Sequence, residues 1–314
     1  MKIYAKSALC REQLDAKVKA GATKFEIQLL DELVDGKLGQ YHNADDVFNL
    51  KDFIKYNIEV VHAPLLSHYG LSDVNIESFL DGDFKLLDQV FYIANSFGAV
   101  QNKRVLVVIH SESDRTNMML ISDTWKRVLN GIGCLLFKYP YTEVAIENVS
   151  PIRKPYSGDL HLCNNFHFDN VIMAKELRKQ LNTDRIGTVL DTCHAMIAEK
   201  YISLIYEAIG DTEPADYTLD AYFKQNQEVI KLIHLSDMRG SGYGKGKHAI
   251  PFTENTLTRL QGILSLYYKY DYTCPITLEV EEMDLLNPKG FETNLQLLAE
   301  EFLRRDYGLQ RELV

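Results

Sequence analysis

Apolar residues along this chain follow two alternating rhythms. Short unbroken runs such as Val105-Leu-Val-Val-Ile109 alternate with longer stretches in which apolar positions recur every three or four residues. Unbroken runs bounded by turn residues read as strands buried on both faces, the mark of a parallel sheet, and the longer period reads as amphipathic helix. Strands are expected at Lys2–Ser7, Lys24–Leu29, Ile58–His62 and Arg104–His110, and in runs ending at Glu147, Asp191, His234 and Glu279. Helices are expected at Cys10–Ala20, Val47–Tyr56, Phe84–Phe97 (stopped by Gly98), Ser122–Leu136 and Phe168–Leu181. They continue at Tyr201–Ile209, Leu219–Ile230, Asn255–Tyr268 and Phe291–Arg304. Eight strand–helix rounds predict an α/β chain folded as a (β/α)8 TIM barrel, a single domain spanning 1–314.

In such barrels the chemistry collects at the carboxyl ends of the strands. Six of the predicted ends carry a metal-ligand side chain: His62, His110, Glu147, Asp191, His234 and Glu279, roughly 37 to 48 positions apart. Each has an ordinary reading when taken alone. His62 could be a packed histidine, Glu147 or Glu279 a buried ion-pair partner, and Asp191 a cap on the turn that follows it. Six in succession are hard to obtain from unrelated structural needs. Carboxylates gathered without a cation would repel one another, whereas a divalent ion compensates them and accepts the imidazoles. Nitrogen and oxygen donors suit Zn or Mn, with Mg, Co or Fe also admissible.

Further candidates surround these six. His194 is expected to begin the loop after Asp191, as a ligand or a contact to a substrate oxygen. His248 closes the glycine-rich stretch 240–247, where Lys245 and Lys247 add positive charge suited to a lid or a cradle for an anionic group. Glu26, Gln28 and Asp237 rank lower and read better as supporting or surface polar residues. Cys193, between Thr192 and His194, reads as a packing residue rather than a ligand or nucleophile.

The 314 residues are 46% hydrophobic and 25% charged, which suits a folded domain with a sizeable core. A formal net charge of -10 argues against a dominant attraction to nucleic acid. Five cysteines without CxxC spacing fit reduced thiols, and no apolar run is long enough to span a membrane. A cytoplasmic protein is expected, with association into homo-oligomers left open.

With these residues in place the chain resembles the xylose-isomerase-like barrel superfamily, which includes endonuclease IV and many sugar isomerases and epimerases. Leu190-Asp-Thr-Cys-His-Ala195 carries the resemblance most specifically, supported by His62-Ala-Pro64, Ile146-Glu-Asn148, Ile233-His-Leu-Ser-Asp237 and Leu278-Glu-Val280. The resemblance implies one metal held by His62, His110 and Glu147, and a second shared by Glu147 with Asp191, His234 and Glu279. A third, in the endonucleases, uses a histidine like His194 with an Asp-x-His pair. The matching positions here read Gly246-Lys-His248, without the aspartate. After strand four the chain reads His110-Ser-Glu-Ser-Asp114, an acidic loop that suits a scissile phosphate poorly.

The first expectation is therefore a metal-dependent isomerase or epimerase of a sugar or sugar phosphate. Glu147 and Glu279 would act as the acid/base pair, and His194, His248, Lys245 and Lys247 would contact the substrate. The alternatives are a metal-dependent phosphodiesterase acting on abasic DNA, and a binding barrel that has kept the ligands.

Overall fold

The structure is a computed structural model that describes residues 1–30, 32–35, 40–64, 81–110, 122–150, 152–153, 161–162, 169–209, 216–239 and 248–306. Eight parallel strands close into a barrel: β1 (Ile3–Ala8), β2 (Phe25–Gln28), β3 (Ile58–His62), β4 (Val105–His110), β5 (Thr142–Glu147), β6 (Ile186–Asp191), β7 (Ile230–Leu235) and β8 (Ile276–Leu278). They follow one another around the ring in chain order, and β1 closes on β8 through Ile3 opposite Ile276. Two antiparallel two-residue pairs, Val34–Asp35 with Gln40–Tyr41 and Ile152–Arg153 with His161–Leu162, lie outside the barrel.

The unbroken apolar runs are explained by two separate cores. Every residue of β4 and β6 is buried. Alternate side chains point inward, where Tyr4, Val60, Leu106, Val108, Ala145, Val189 and Leu232 fill the barrel. The intervening side chains, including Phe25, Ile27, Val107, Ile109, Ile146 and Leu190, pack outward against the helices. Burial of each such aliphatic side chain contributes about 1.5–3 kcal/mol. At the amino end the Arg185 guanidinium donates to the carbonyls of Leu136 and Thr142, both at 2.8 Å, and ties β6 to the entry of β5.

The helices are α1 (Arg11–Lys19), α2 (Ala44–Val47), α3 (Asp81–Gln101), α4 (Ser122–Lys138), α5 (Asp169–Leu181), α6 (Thr192–Ile209), α7 (Leu219–Asn226), α8 (Leu257–Lys269) and α9 (Lys289–Asp306). Besides α7, which ends at Asn226 rather than at the expected Ile230 because Ile230 already begins β7, three depart from the sequence reading. The expected helix Val47–Tyr56 is instead the single turn α2 followed by a 3-10 turn at Leu50–Phe53. Its buried Phe48, Phe53 and Tyr56 are not spaced as one helical stripe, and Phe48 is extended at φ -120°. Gly98 does not stop α3, which runs on to Gln101. A Cβ there would lie 2.6 Å from the Tyr141 carbonyl oxygen and 2.7 Å from that of Lys103, so glycine is required for close approach. The third departure is at α6, which starts directly after Asp191 rather than following a loop.

Candidate metal centre

The side-chain alternation that fills the barrel also builds the site. Two residues beyond the inward Val60, Val108, Ala145, Val189 and Leu232 come His62, His110, Glu147, Asp191 and His234, on the same inward face. Glu279 follows one residue after β8 ends. All six predicted strand-end residues therefore converge. One ligand atom from each of Glu147, Asp191, His234 and Glu279 lies within 4.8 Å of the others, and the same holds for His62, His110 and Glu147.

Glu147 occupies the middle. Its Oε2 is 2.9 Å from His62 Nε2 and 3.3 Å from His110 Nε2, and its Oε1 is 3.0 Å from His234 Nδ1. Burial penalises this carboxylate, but the charge on His234 and hydrogen bonds from His110, His234 and His62 together hold its pKa well below the usual range. Asp191 shows the opposite balance. Burial, reinforced by the charges of Glu279 and Glu147, pushes its carboxyl up to about 7.

Asp191 caps the helix that follows it, as one of its sequence readings holds, and keeps an oxygen toward the site. Its Oδ1 accepts from the His194 backbone N–H at 2.7 Å, capping α6, which contributes about 1 kcal/mol. Its Oδ2 is buried without a hydrogen bond and faces the site. The cap places His194 in the first turn of α6, not in the loop that the sequence suggested. Asn148 locks this corner: its side chain accepts from the Asp191 N–H at 2.7 Å and donates to the Asp191 carbonyl at 3.0 Å. The Asn148 backbone carbonyl in turn accepts from His194 Nδ1 at 2.8 Å.

The donor set fits a cation on two counts. First, Asp191 Oδ2 is buried with no hydrogen bond, and the buried Glu279 Oε2 and Glu26 Oε1 meet His234 Nδ1 and Lys6 Nζ at 2.7 and 3.3 Å. Second, three histidines each give one ring nitrogen to a fixed acceptor and aim the other at further ligand-type atoms. His62 donates from Nδ1 to the Ala63 carbonyl at 2.8 Å, leaving Nε2 toward Glu147. His234 gives Nε2 to Glu26 Oε2 at 2.9 Å, leaving Nδ1 at 3.0 Å from Glu147 Oε1 and 2.7 Å from Glu279 Oε2. His194, anchored through Nδ1, presents Nε2 to His248 Nε2 at 2.8 Å. The outward nitrogens of His62 and His234 donate to the carboxylates here; a bound cation would replace those protons and take the lone pairs, with the far nitrogens still held by a carbonyl or a carboxylate, as in metal-ligating histidines. Burial keeps the His62 and His194 pKa values low, that of His194 at about 4.

Two residues were missed or undervalued. Glu26 was ranked as a supporting or surface polar group, yet it is fully buried and accepts from both His234 and Thr277 Oγ1, the latter at 2.8 Å. Lys6 drew no notice, and its ammonium sits 2.8 Å from Glu279 Oε1 and 3.3 Å from Glu26 Oε1. The signal was present in β1: Lys6 stands two positions after the inward Tyr4, as each of five other site residues stands after its own core residue.

Lys6, Gln28, His248 and Glu279 border an open cavity of about 510 Å³, whose apolar wall includes Leu30, Ala249 and Val280. His248 therefore reaches both the cavity and His194, and Asp191, His194 and His248 form a further group of cation-compatible spacing. Lys245 and Lys247 lie outside the described residues. Asp237 is buried, paired with Arg259 and bridged through its backbone to Ile250, a structural setting. Burial pushes the Cys193 thiol up, and the residue packs in the interior.

Among the described residues no helix is long and apolar enough to cross a membrane. No curated protein matches the chain by sequence. Solved structures that resemble it include a D-tagatose 3-epimerase-like protein, with TM-score 0.58 and 16% identity over 98% of this chain and 100% of that one. L-ribulose 3-epimerase gives TM-score 0.56 and 13% identity, covering 100% and 99%. The 3-keto-D-glucoside 4-epimerase of E. coli gives 0.53 and 13%, covering 96% and 99%. At these identities the likeness is one of fold. The closed barrel and the model match over residues 18–301 place this chain in the xylose isomerase-like TIM barrel family.

Proposed function

We propose that the chain is a divalent-metal-dependent epimerase or isomerase of a sugar or sugar phosphate. The observation that carries this reading is the placement of two glutamates about one point. Glu147 and Glu279 both approach His234 Nδ1, at 3.0 and 2.7 Å, and Asp191 completes the group. Bound by these four residues, a divalent cation supplies Lewis-acid polarisation of a carbonyl and its neighbouring hydroxyl, which acidifies the adjacent C–H bond.

The chain's own groups do the rest. One glutamate takes the carbon-bound proton and the other returns a proton to the opposite face of the same carbon, which inverts it. Glu279 borders the cavity and meets substrate from the open side, while Glu147 lies deeper and is 1% exposed. His194 and His248 are set to hold substrate oxygens at the rim. The names of the similar structures, two sugar epimerases and one epimerase-like protein, agree with this chemistry.

The test is incubation of the metal-loaded protein with ketopentoses, ketohexoses and their phosphates in D2O. Deuterium is expected at the inverted carbon, and Glu279→Gln is expected to lower turnover by about 10²–10⁴, the scale of lost acid–base catalysis. The second reading, cleavage at abasic DNA, is favoured by His62 and His110, which add ligand-type nitrogens 2.9 and 3.3 Å from Glu147 beyond the group of four. Incision of an abasic duplex with no exchange on any sugar would decide for that reading.

A further inference from the structure

Lys6 is an unusual neighbour for a metal centre. Its ammonium is held by Glu279 Oε1 at 2.8 Å and Glu26 Oε1 at 3.3 Å, and its side chain is only 13% exposed. It thus brings a permanent positive charge among side chains that otherwise suit cations. We propose that Lys6 is a tethered monovalent cation that limits this centre to a single divalent ion, held by Glu147, Asp191, His234 and Glu279. The inference rests on the metal-dependent reading above.

The argument is one of charge and of place. Glu26, Glu147, Asp191 and Glu279 bring four negative charges into a region that water scarcely reaches, since the first three are at most 1% exposed. With His234 neutral, as metal ligation requires, and the other imidazoles uncharged, Lys6 leaves three negative charges uncompensated. One divalent ion brings the centre to a single net negative charge. A second would drive it positive, with the excess charge crowded at low dielectric.

Place points the same way. Beside His62 two groups have cation-compatible spacing: Lys6 already binds the glutamate of the Glu26, His62 and His234 group, and the His62, His110 and Glu147 group has one carboxylate, which it shares with the four-ligand set. Lys6 also fixes how Glu279 is used. With Oε1 engaged by the ammonium, Oε2 is left facing His234 Nδ1, on the side where the four-ligand group converges. His62 and His110 then serve as supports that hold Glu147 Oε2.

Metal content of the full chain is the readout, and it does not depend on turnover. Wild-type protein stripped with chelator, reloaded with Mn²⁺ or Zn²⁺ and desalted is expected to retain one equivalent. Lys6→Met is expected to retain two, with an exchange-coupled Mn²⁺ pair in its electron paramagnetic resonance spectrum. Lys6→Arg, which restores the charge, is expected to return to one. Two or more equivalents in the wild type overturn the proposal even if Lys6→Met fails to fold, and so does a folded Lys6→Met that retains one. Retention of no metal by the wild type overturns the metal-dependent reading and this inference together. Two equivalents in a wild type that still epimerises sugars overturn the Lys6 role alone.

Discussion

Glu26 makes no bond to any group of the proposed metal ligand set except the far nitrogen of His234. With Nε2–H committed to Glu26 Oε2 at 2.9 Å, the His234 ring is fixed in tilt, and Nδ1 is aimed at Glu147 and Glu279, where a bound cation would replace its proton. Glu26→Gln keeps the shape but removes the charge and loosens that orientation. Affinity for Mn²⁺ or Zn²⁺ is expected to fall by about 10- to 100-fold, the usual effect of losing such a partner. Calorimetric titration of the stripped variant would measure it, and an unchanged affinity would mean that Glu26 only fills space. The convergence of the six strand-end residues was legible because each follows an apolar run with a conspicuous polar stop. Glu26 and Lys6 were not, because in β1 and β2 polar residues interrupt the apolar run within the strand instead of closing it. Applying the inward parity of Tyr4 to β1 would have found Lys6 from the sequence. For β2 the outward packing of Phe25 and Ile27 identifies Glu26 as inward, and that is visible only once the barrel closes.

At the scale of elements, strands were read more surely than helix ends, because a buried strand shows as a run whereas a helix end depends on contacts distant in sequence. Gly98 illustrates the difference. Sequence position suggests a helix stop, but its neighbours are the carbonyl oxygens of Tyr141 and Lys103, both backbone atoms on the adjoining β5 and β4 entries. Neither can withdraw as a flexible side chain would. Gly98→Ala is therefore expected to destabilise the fold by about 1–3 kcal/mol despite the better helix propensity of alanine. Gly262, on the exposed face of α8, has nothing within 4 Å of the corresponding Cβ. Gly262→Ala is expected to stabilise by about 0.5–1 kcal/mol. Paired denaturant titrations check both signs, and equal effects at the two positions would refute the assignment of Gly98 to close packing. Asp191 carries the same lesson for α6. The residue that caps the helix also supplies a free oxygen to the site, so the start of the helix and the position of His194 are set by one side chain.

For the molecule as a whole, eight alternations of strand and helix were enough to anticipate a closed barrel, since a ring of parallel strands needs a helix returning outside each one. The sequence left the number of ions open, because that depends on how charges on different strands face one another after closure. Closure also makes the centre a matter of global stability. Glu147, Asp191 and His234 end β5, β6 and β7, and Glu279 follows β8, so an ion held by all four joins half of the ring at its rim. Without the ion, Asp191 Oδ2 is buried without a hydrogen bond and close to the carboxylates of Glu147 and Glu279. An ion that binds only the closed barrel stabilises it by about 4 kcal/mol when present at a thousand times its Kd. With each kcal/mol worth about 2–4 °C in domains somewhat smaller than this one, thermal unfolding should rise by roughly 5–10 °C on adding Mn²⁺ or Zn²⁺ to chelator-treated protein. Asp191→Asn should abolish most of that rise, because it removes the charge that faces the ion and leaves the Oδ1 cap on α6 in place. A rise of the same size in the variant would show that the metal acts elsewhere on the surface, and no rise in the wild type with any divalent ion would remove the metal from the proposed chemistry.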